Sequence, residues 1–259
     1  MRLALAALLA LAGAPAQSQN DPFPGAAAAY LVLVDGAPLW ERAADARRQP
    51  ASLAKLMSAL LVVEEGRLDD EVRVSAAAAK ARGARLGLRA GERLPAHALL
   101  AGMLVGSAND ACLALVERGG GAAGFVARMN AKAPELGLRD TRFGDPCGFD
   151  ADRQHSTARD LARLATVAMR RAQIAALVGR REIEVATADR ARVLRVKNTN
   201  ALIEHFPGAL GVKTGQTGRA GHNLIALAER DGRKVLLVML GARDRWWDAH
   251  GILAQALAR

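Results

Sequence analysis

Two polar side chains open an otherwise oily segment. In Pro50 to Gly66, PASLAKLMSALLVVEEG, Ser52 and Lys55 stand three residues apart, which places both on one face of a helix. A serine hydroxyl is a poor nucleophile until a neighbouring base takes its proton, and a lysine can be that base once its pKa is lowered. Burial and a second nearby cation both disfavour the ammonium form and so lower it. A helix N-terminus also presents unpaired backbone N–H groups to a developing oxyanion. Taken alone, the pair has a plain alternative: a polar cap followed by a lysine whose stem lies along apolar surface reads the same way.

Two further polar breaks extend the chemistry. Ser107-Ala108-Asn109 interrupts two apolar helical runs, PAHALLAGMLV and DACLALVE, and Lys213-Thr214-Gly215 ends a strand-like run with Thr217 and Gly218 just beyond it. A hydroxyl and an amide at the first break can reach a shared cleft. A glycine at the second lets an extended substrate approach a strand edge. Each break also has a bland reading, a helix cap for SAN and an edge strand entering a turn for KTG. All three in this order, on these element types, argue against independent coincidence.

The positioning elements follow from patterning. Ala26 to Ala44 contains two β-like segments around Asp35-Gly36, a hairpin signal. Helical apolar spacing runs from Ser52 to Glu65 and is closed by Gly66. Leu68 to Ala96 is polar, Ala-rich and broken by glycines. STARDLARLATVAMRRA is a helix whose Ser156, Thr157 and Asp160 suit a capped start. GVKTG, NLIALAER and RKVLLVMLG read as strands, the last two joined at Asp231-Gly232, and RDRWWDAHGILAQALAR closes as a helix. Strands at both ends with helices between imply an α+β fold in which the terminal segments share one antiparallel sheet.

Bulk composition bounds the rest. MRLALAALLALAGAPAQSQN has one early cation, an apolar run and Ala14-Pro15-Ala16, the pattern of an exported chain's signal peptide. We therefore expect a signal peptide over 1–16, a flexible segment over 17–25, one domain over 26–259 and a location in the periplasm or cell envelope. No later apolar run reaches the length of a membrane helix, so no transmembrane anchor is expected in the mature chain. The formal charge of +10 favours anionic surroundings, but scattered arginines and 3% aromatic content speak against nucleic acid as a partner. Cys112 and Cys147 permit one disulfide; spacing does not establish it, and Cys112 in its apolar run reads as a small core residue. The histidines show no metal-ligand spacing, so no metal or cofactor is expected. RGGGAAG reads as a helix-terminating loop, and Trp246-Trp247 as an anchor of the last helix against the sheet.

The ordered set S-x-x-K, S-x-N and K-T-G resembles the serine penicillin-recognising enzymes. The stretches ASLAKLMSALLV, LGLRAGERLPAHALLAGMLVGSANDACLAL, FGDPCGFD, HSTARDLARLA, NTNALI and GALGVKTGQTGRAGHNLIALAERDGRKVLLVMLGA are similar to low-molecular-mass D-alanyl-D-alanine peptidases of the S11 type. The resemblance implies a β-lactamase/transpeptidase-like fold: a five-stranded antiparallel sheet flanked by helices, with an all-helical subdomain inserted. It implies Ser52 as nucleophile on the D-Ala-D-Ala bond of peptidoglycan stem peptides, Lys55 as base and Ser107 as proton carrier to the leaving amine. Asn109 would hold Lys55 and the substrate amide, and Lys213 would hydrogen-bond Ser107 and keep the cleft positive. Thr214, Gly215, Thr217 and Arg245 would bind substrate; Arg245 reads equally well as a solvated helix cation. The backbone N–H groups of Ser52 and Gln216 would form the oxyanion hole.

β-Lactam antibiotics would be covalent inhibitors, since no E-x-x-L-N segment of the kind one β-lactamase family uses for deacylation occurs. A β-lactamase, a non-catalytic β-lactam sensor and a D,D-endopeptidase that cuts cross-links are the alternatives. The short stretch after the last helix suggests a form without the C-terminal β domain and membrane anchor common among such carboxypeptidases.

Overall fold

The computed structural model describes residues 21–259; the signal-peptide reading of 1–16 lies outside the described residues. β1 (Ala27–Val34) and β2 (Ala37–Arg42) form a hairpin through Asp35 and Gly36 at φ 48° and 86°, the left-handed pair that matches strand twist. A 3₁₀ turn, Ala51–Ala54, leads into α1 (Lys55–Glu64). Then come β3 (Glu71–Arg73), α2 (Ala76–Ala79), β4 (Arg93–Pro95), α3 (Ala96–Val105), α4 (Asn109–Arg118), α5 (Gly121–Glu135), α6 (Ala158–Met169) and α7 (Ala172–Val178). β5 (Glu182–Ala186), β6 (Val193–Lys197), α8 (Leu202–His205), β7 (Ala209–Thr217), β8 (Gly221–Arg230), β9 (Arg233–Ala242) and α9 (Arg245–Leu257) complete the chain.

The main sheet is antiparallel, in the order β2-β1-β9-β8-β7. Its central strands are apolar on both faces because each face packs on a separate core. Leu31, Ile225, Val238 and Leu240 face the larger core with α1, α3, α4 and α6, while Tyr30, Val32, Leu224, Leu237 and Met239 face a smaller one. Ala249, Ile252, Leu253 and Ala256 of α9 close that smaller core at helical spacing. α1 is apolar nearly all round and buried, so it is the axle of the helical layer. Thr157 Oγ1 accepts from the Asp160 amide at 3.0 Å and caps α6 as expected.

Several features depart from the sequence reading. The helix expected from Ser52 begins at Lys55, and Ser52 sits on the preceding 3₁₀ turn. The segment between β2 and β7 carries two small ribbons, β3–β4 and β5–β6, besides its helices. The glycine run ends α4 but also starts α5 at Gly121. Cys112 and Cys147 form a disulfide, correcting the expectation of an unbridged core residue. Trp247 is 80% exposed and anchors nothing, whereas Trp246 packs on the smaller core; two adjacent helical residues cannot share one face. Asp21 to Gly25, within the stretch expected to be flexible, is tethered: Tyr30 donates to Asp21, and Phe23 meets Trp40 edge-on at 5.7 Å.

Candidate active site

The Ser52 turn is gripped from three sides. Ala51 stands at φ 51°, a conformation that a residue with a side chain keeps only where its surroundings impose it. Gly148 presses on it: a Cβ there would fall 2.1 Å from the Ala51 carbonyl oxygen. Gly215 of β7 also passes close, though less tightly: a Cβ there would fall 3.1 Å from the Ser52 amide nitrogen. From below, the buried Asn223 amide donates to Gln49 O at 2.9 Å and Pro50 O at 3.1 Å, while its oxygen accepts from the Gly241 amide.

Lys55 is fully buried, and its Nζ has three partners: Ser52 Oγ at 2.9 Å, Asn109 Oδ1 at 2.7 Å and Cys147 O at 2.5 Å. Burial pulls its pKa down to about 7, against a weaker upward pull from Asp145. Asn109 is oriented by donating from Nδ2 to Arg82 O. The next residue, Asp110, spreads its buried carboxylate over the amides of Leu86, Gly87, Leu88 and Ala111. That pins the loop whose Gly83 and Ala84 form one cleft wall.

Ser107 stands at φ 57° and accepts from Lys213 Nζ at 2.8 Å; the same amine donates to Thr214 O. Burial, then the charges of Lys55 and Arg245, hold Lys213 well below the ordinary lysine range. Thr214 Oγ1 lies 2.7 Å from Thr199 Oγ1. Arg245 turns into the site rather than to solvent: Nη1 donates to Gly215 O at 3.2 Å and its guanidinium stacks on Trp246. Thr217 is already engaged, donating to Asp150 at 2.6 Å.

Ser52, Ser107, Asn109, Thr214, Gly215, Gln216, Thr217 and Arg245 thus line one cleft of about 270 Å³, with the two buried amines behind it. A larger hollow of about 610 Å³ between α3, α7 and the β5–β6 ribbon gathers no comparable chemistry. Sequence reasoning did not single out Asn223, Asp110, Thr199 or the Cys147 carbonyl. The first two announce themselves only as polar residues inside apolar runs, and a backbone carbonyl has no sequence signal at all. Among the described residues no group of His, Cys, Asp or Glu is arranged to hold a metal ion, and no helix is long and apolar enough to cross a membrane.

A family model described as peptidase S11, D-alanyl-D-alanine carboxypeptidase, matches residues 16–244. The chain belongs to the peptidase S11 family. Among S11 relatives, the D-alanyl-D-alanine carboxypeptidase DacF of Bacillus subtilis is 34% identical over 224 residues, covering 84% of this chain; the chain spans only 57% of that relative's length. The solved Streptomyces K15 DD-transpeptidase superposes with a TM-score of 0.85 at 29% identity, covering 91% of this chain and 99% of its own. A D-alanyl-D-alanine carboxypeptidase from Mycobacterium tuberculosis H37Rv gives 0.86 at 30% identity, over 95% and 96%. The S11 motifs therefore stand here on the β-lactamase/transpeptidase fold that the sequence implied, with its sheet of five antiparallel strands.

Proposed function

We propose that the protein is a serine D-alanyl-D-alanine carboxypeptidase that acts on peptidoglycan stem peptides in the cell envelope after export. The observation that carries this reading is the hydrogen-bond geometry at Lys55. Asn109 Oδ1 and Cys147 O can only accept, so in a neutral Lys55 they take its two N–H bonds. The remaining lone pair then faces Ser52 Oγ, the one partner with a proton to give. A pKa near 7 keeps that neutral form accessible.

The steps follow. Ser52 Oγ bonds to the carbonyl carbon of the D-Ala-D-Ala peptide as its proton moves to Lys55. The oxyanion is held by the backbone N–H groups of Ser52 and Gln216 beside β7. The C–N bond breaks as Ser107, supported by Lys213, gives its hydroxyl proton to the leaving nitrogen and takes in its place the proton that Lys55 gained from Ser52, which returns Lys55 to its neutral form. Thr214 and Arg245 hold the terminal carboxylate, and Arg suits this because its fork matches both carboxylate oxygens. Water then cleaves the Ser52 ester. Penicillin, a mimic of the same bond, stops at that ester.

Fluorescent penicillin should label the wild type and leave Ser52→Ala unlabelled, and equal labelling of both would sink the assignment. Pentapeptide monomers should lose one D-Ala by mass. Cross-linked dimers falling to monomers, with pentapeptide left intact, would replace the carboxypeptidase by an endopeptidase.

A further inference from the structure

We propose that the Cys112–Cys147 disulfide is a positioning device for the Ser52–Lys55 pair, an inference that rests on the acylation chemistry above. The two acceptor-only partners of Lys55 come from separate parts of the chain. Asn109 is the first residue of α4, and Cys147 contributes its own carbonyl from the loop after Phe143. Cys112 lies one turn into α4 from Asn109, and its bridge to Cys147 holds the two Cα atoms 5.9 Å apart. One covalent link thus joins the elements that carry both acceptors.

The loop around Cys147 reaches the nucleophile as well. Pro146 O accepts from buried Ser58 Oγ of α1 at 2.5 Å, and Gly148 presses on the Ala51 carbonyl next to Ser52. Apart from the Cys112 sulfur, 3.7 Å from Pro146 O, the other bonds of this loop set its shape without tying it to α4. Asp145 Oδ1 accepts from the Cys147 and Phe149 amides, and Gln154 Oε1 from Gly144 and Asp145. With the bridge open, the Cys147 carbonyl can move away from Asn109, so Lys55 is no longer held with its lone pair on Ser52. Both sulfurs belong to buried residues, so the bridge serves the interior of the site rather than its surface.

The test compares bridged wild type with two opened forms. One is the Cys112→Ala, Cys147→Ala double variant. The other is wild type reduced in denaturant and refolded with its thiols kept reduced, with opening verified by mass after alkylation of a denatured aliquot. Penicillin acylation is timed from acid to alkaline pH, and folding is followed by thermal denaturation. The opened forms are expected to melt cooperatively yet acylate at least about tenfold more slowly, as displacement of a base demands. Their ascending pH limb should move to higher pH, because a hydrated amine returns towards its ordinary value. Reoxidation should restore the reduced sample. Acylation at the bridged rate with an unshifted profile overturns the proposal. Loss of the cooperative melt also overturns it, by making the bridge a staple of the fold. Absence of any adduct on bridged wild type would instead overturn the proposed function.

Discussion

Lys213 Nζ lies 2.8 Å from Ser107 Oγ, and this hydrogen bond joins β7 to the α3–α4 junction across 106 residues of sequence. Lys213 is 1% exposed, and burial together with the charges of Lys55 and Arg245 disfavours its ammonium form. In the proposed mechanism that amine would support Ser107 as a proton carrier without adding a second full cation to the cleft. Lys213→Met keeps the aliphatic stem and removes the donor. Its kcat on a D-Ala-D-Ala peptide is expected to fall about 100-fold, the scale of one lost proton-transfer aid. Steady-state kinetics decide it, and a kcat within a factor of two of wild type would remove the pair from the proton path.

Lys55 predicts two pH dependences with a common origin. As a base it must be neutral, so penicillin acylation should rise as pH climbs towards about 7 and level off above it. Its folded pKa lies below the ordinary value of 10.5, so between those limits the unfolded chain binds a proton that the folded one does not. Stability from this group therefore grows with pH through that window and is fully withheld below it. Thermal midpoints measured from neutral to alkaline pH should climb more steeply in wild type than in Lys55→Met. Parallel curves would mean that Lys55 is not buried as a neutral amine.

Gly148→Ala places a methyl where the Ala51 carbonyl already is, at a φ of +85° that disfavours any side chain. The turn beneath Ser52 must yield. Acylation is expected to drop about 100-fold, as for a displacement of about 1 Å at a reacting group, with a lowered thermal midpoint. Wild-type labelling by penicillin would show that this contact does not set the nucleophile.

Arg245→Ala separates grip from chemistry. If the guanidinium holds the terminal carboxylate, KM should rise about 10-fold or more while kcat changes far less, and Arg245→Lys should recover only part of the loss because it offers no fork. A fall in kcat at constant KM would contradict the assignment.

How far these groups could be read in advance depended on where their information lies. Ser52, Lys55, Ser107 and Asn109 sit at boundaries between elements, where a polar residue interrupts strong periodicity, whereas Lys213 stands in the middle of β7 as the one charged residue of that strand. The turns at Asp35-Gly36 and Asp231-Gly232 were legible because their left-handed backbones demand those residue types. The β5–β6 ribbon was not: each strand buries few side chains, Ile183 and Val185 in one and Val196 in the other, among charged neighbours. The pairing of Cys112 with Cys147 depends on loops meeting in space, and two cysteines carry no record of that. Asn223 is a polar residue in an apolar strand, and its role rests on a turn distant in sequence that it supports.

The groups of the cleft divide between the two layers of the fold. Ser52 and Lys55 ride on α1 and its lead-in, and Ser107 and Asn109 on the α3–α4 junction. Thr214, Gly215 and Gln216 belong to the edge strand of the sheet, and Arg245 to the helix on its far side. The proposed nucleophile and base thus stand on the helical layer, and the proposed grip on the substrate's carboxylate stands on the sheet side. Three contacts span the division, Lys213 on Ser107, Gly215 against the Ser52 amide and Asn223 on the Gln49 and Pro50 carbonyls, so the spacing between the proposed nucleophile and the proposed carboxylate grip is set by how the sheet packs on the helices.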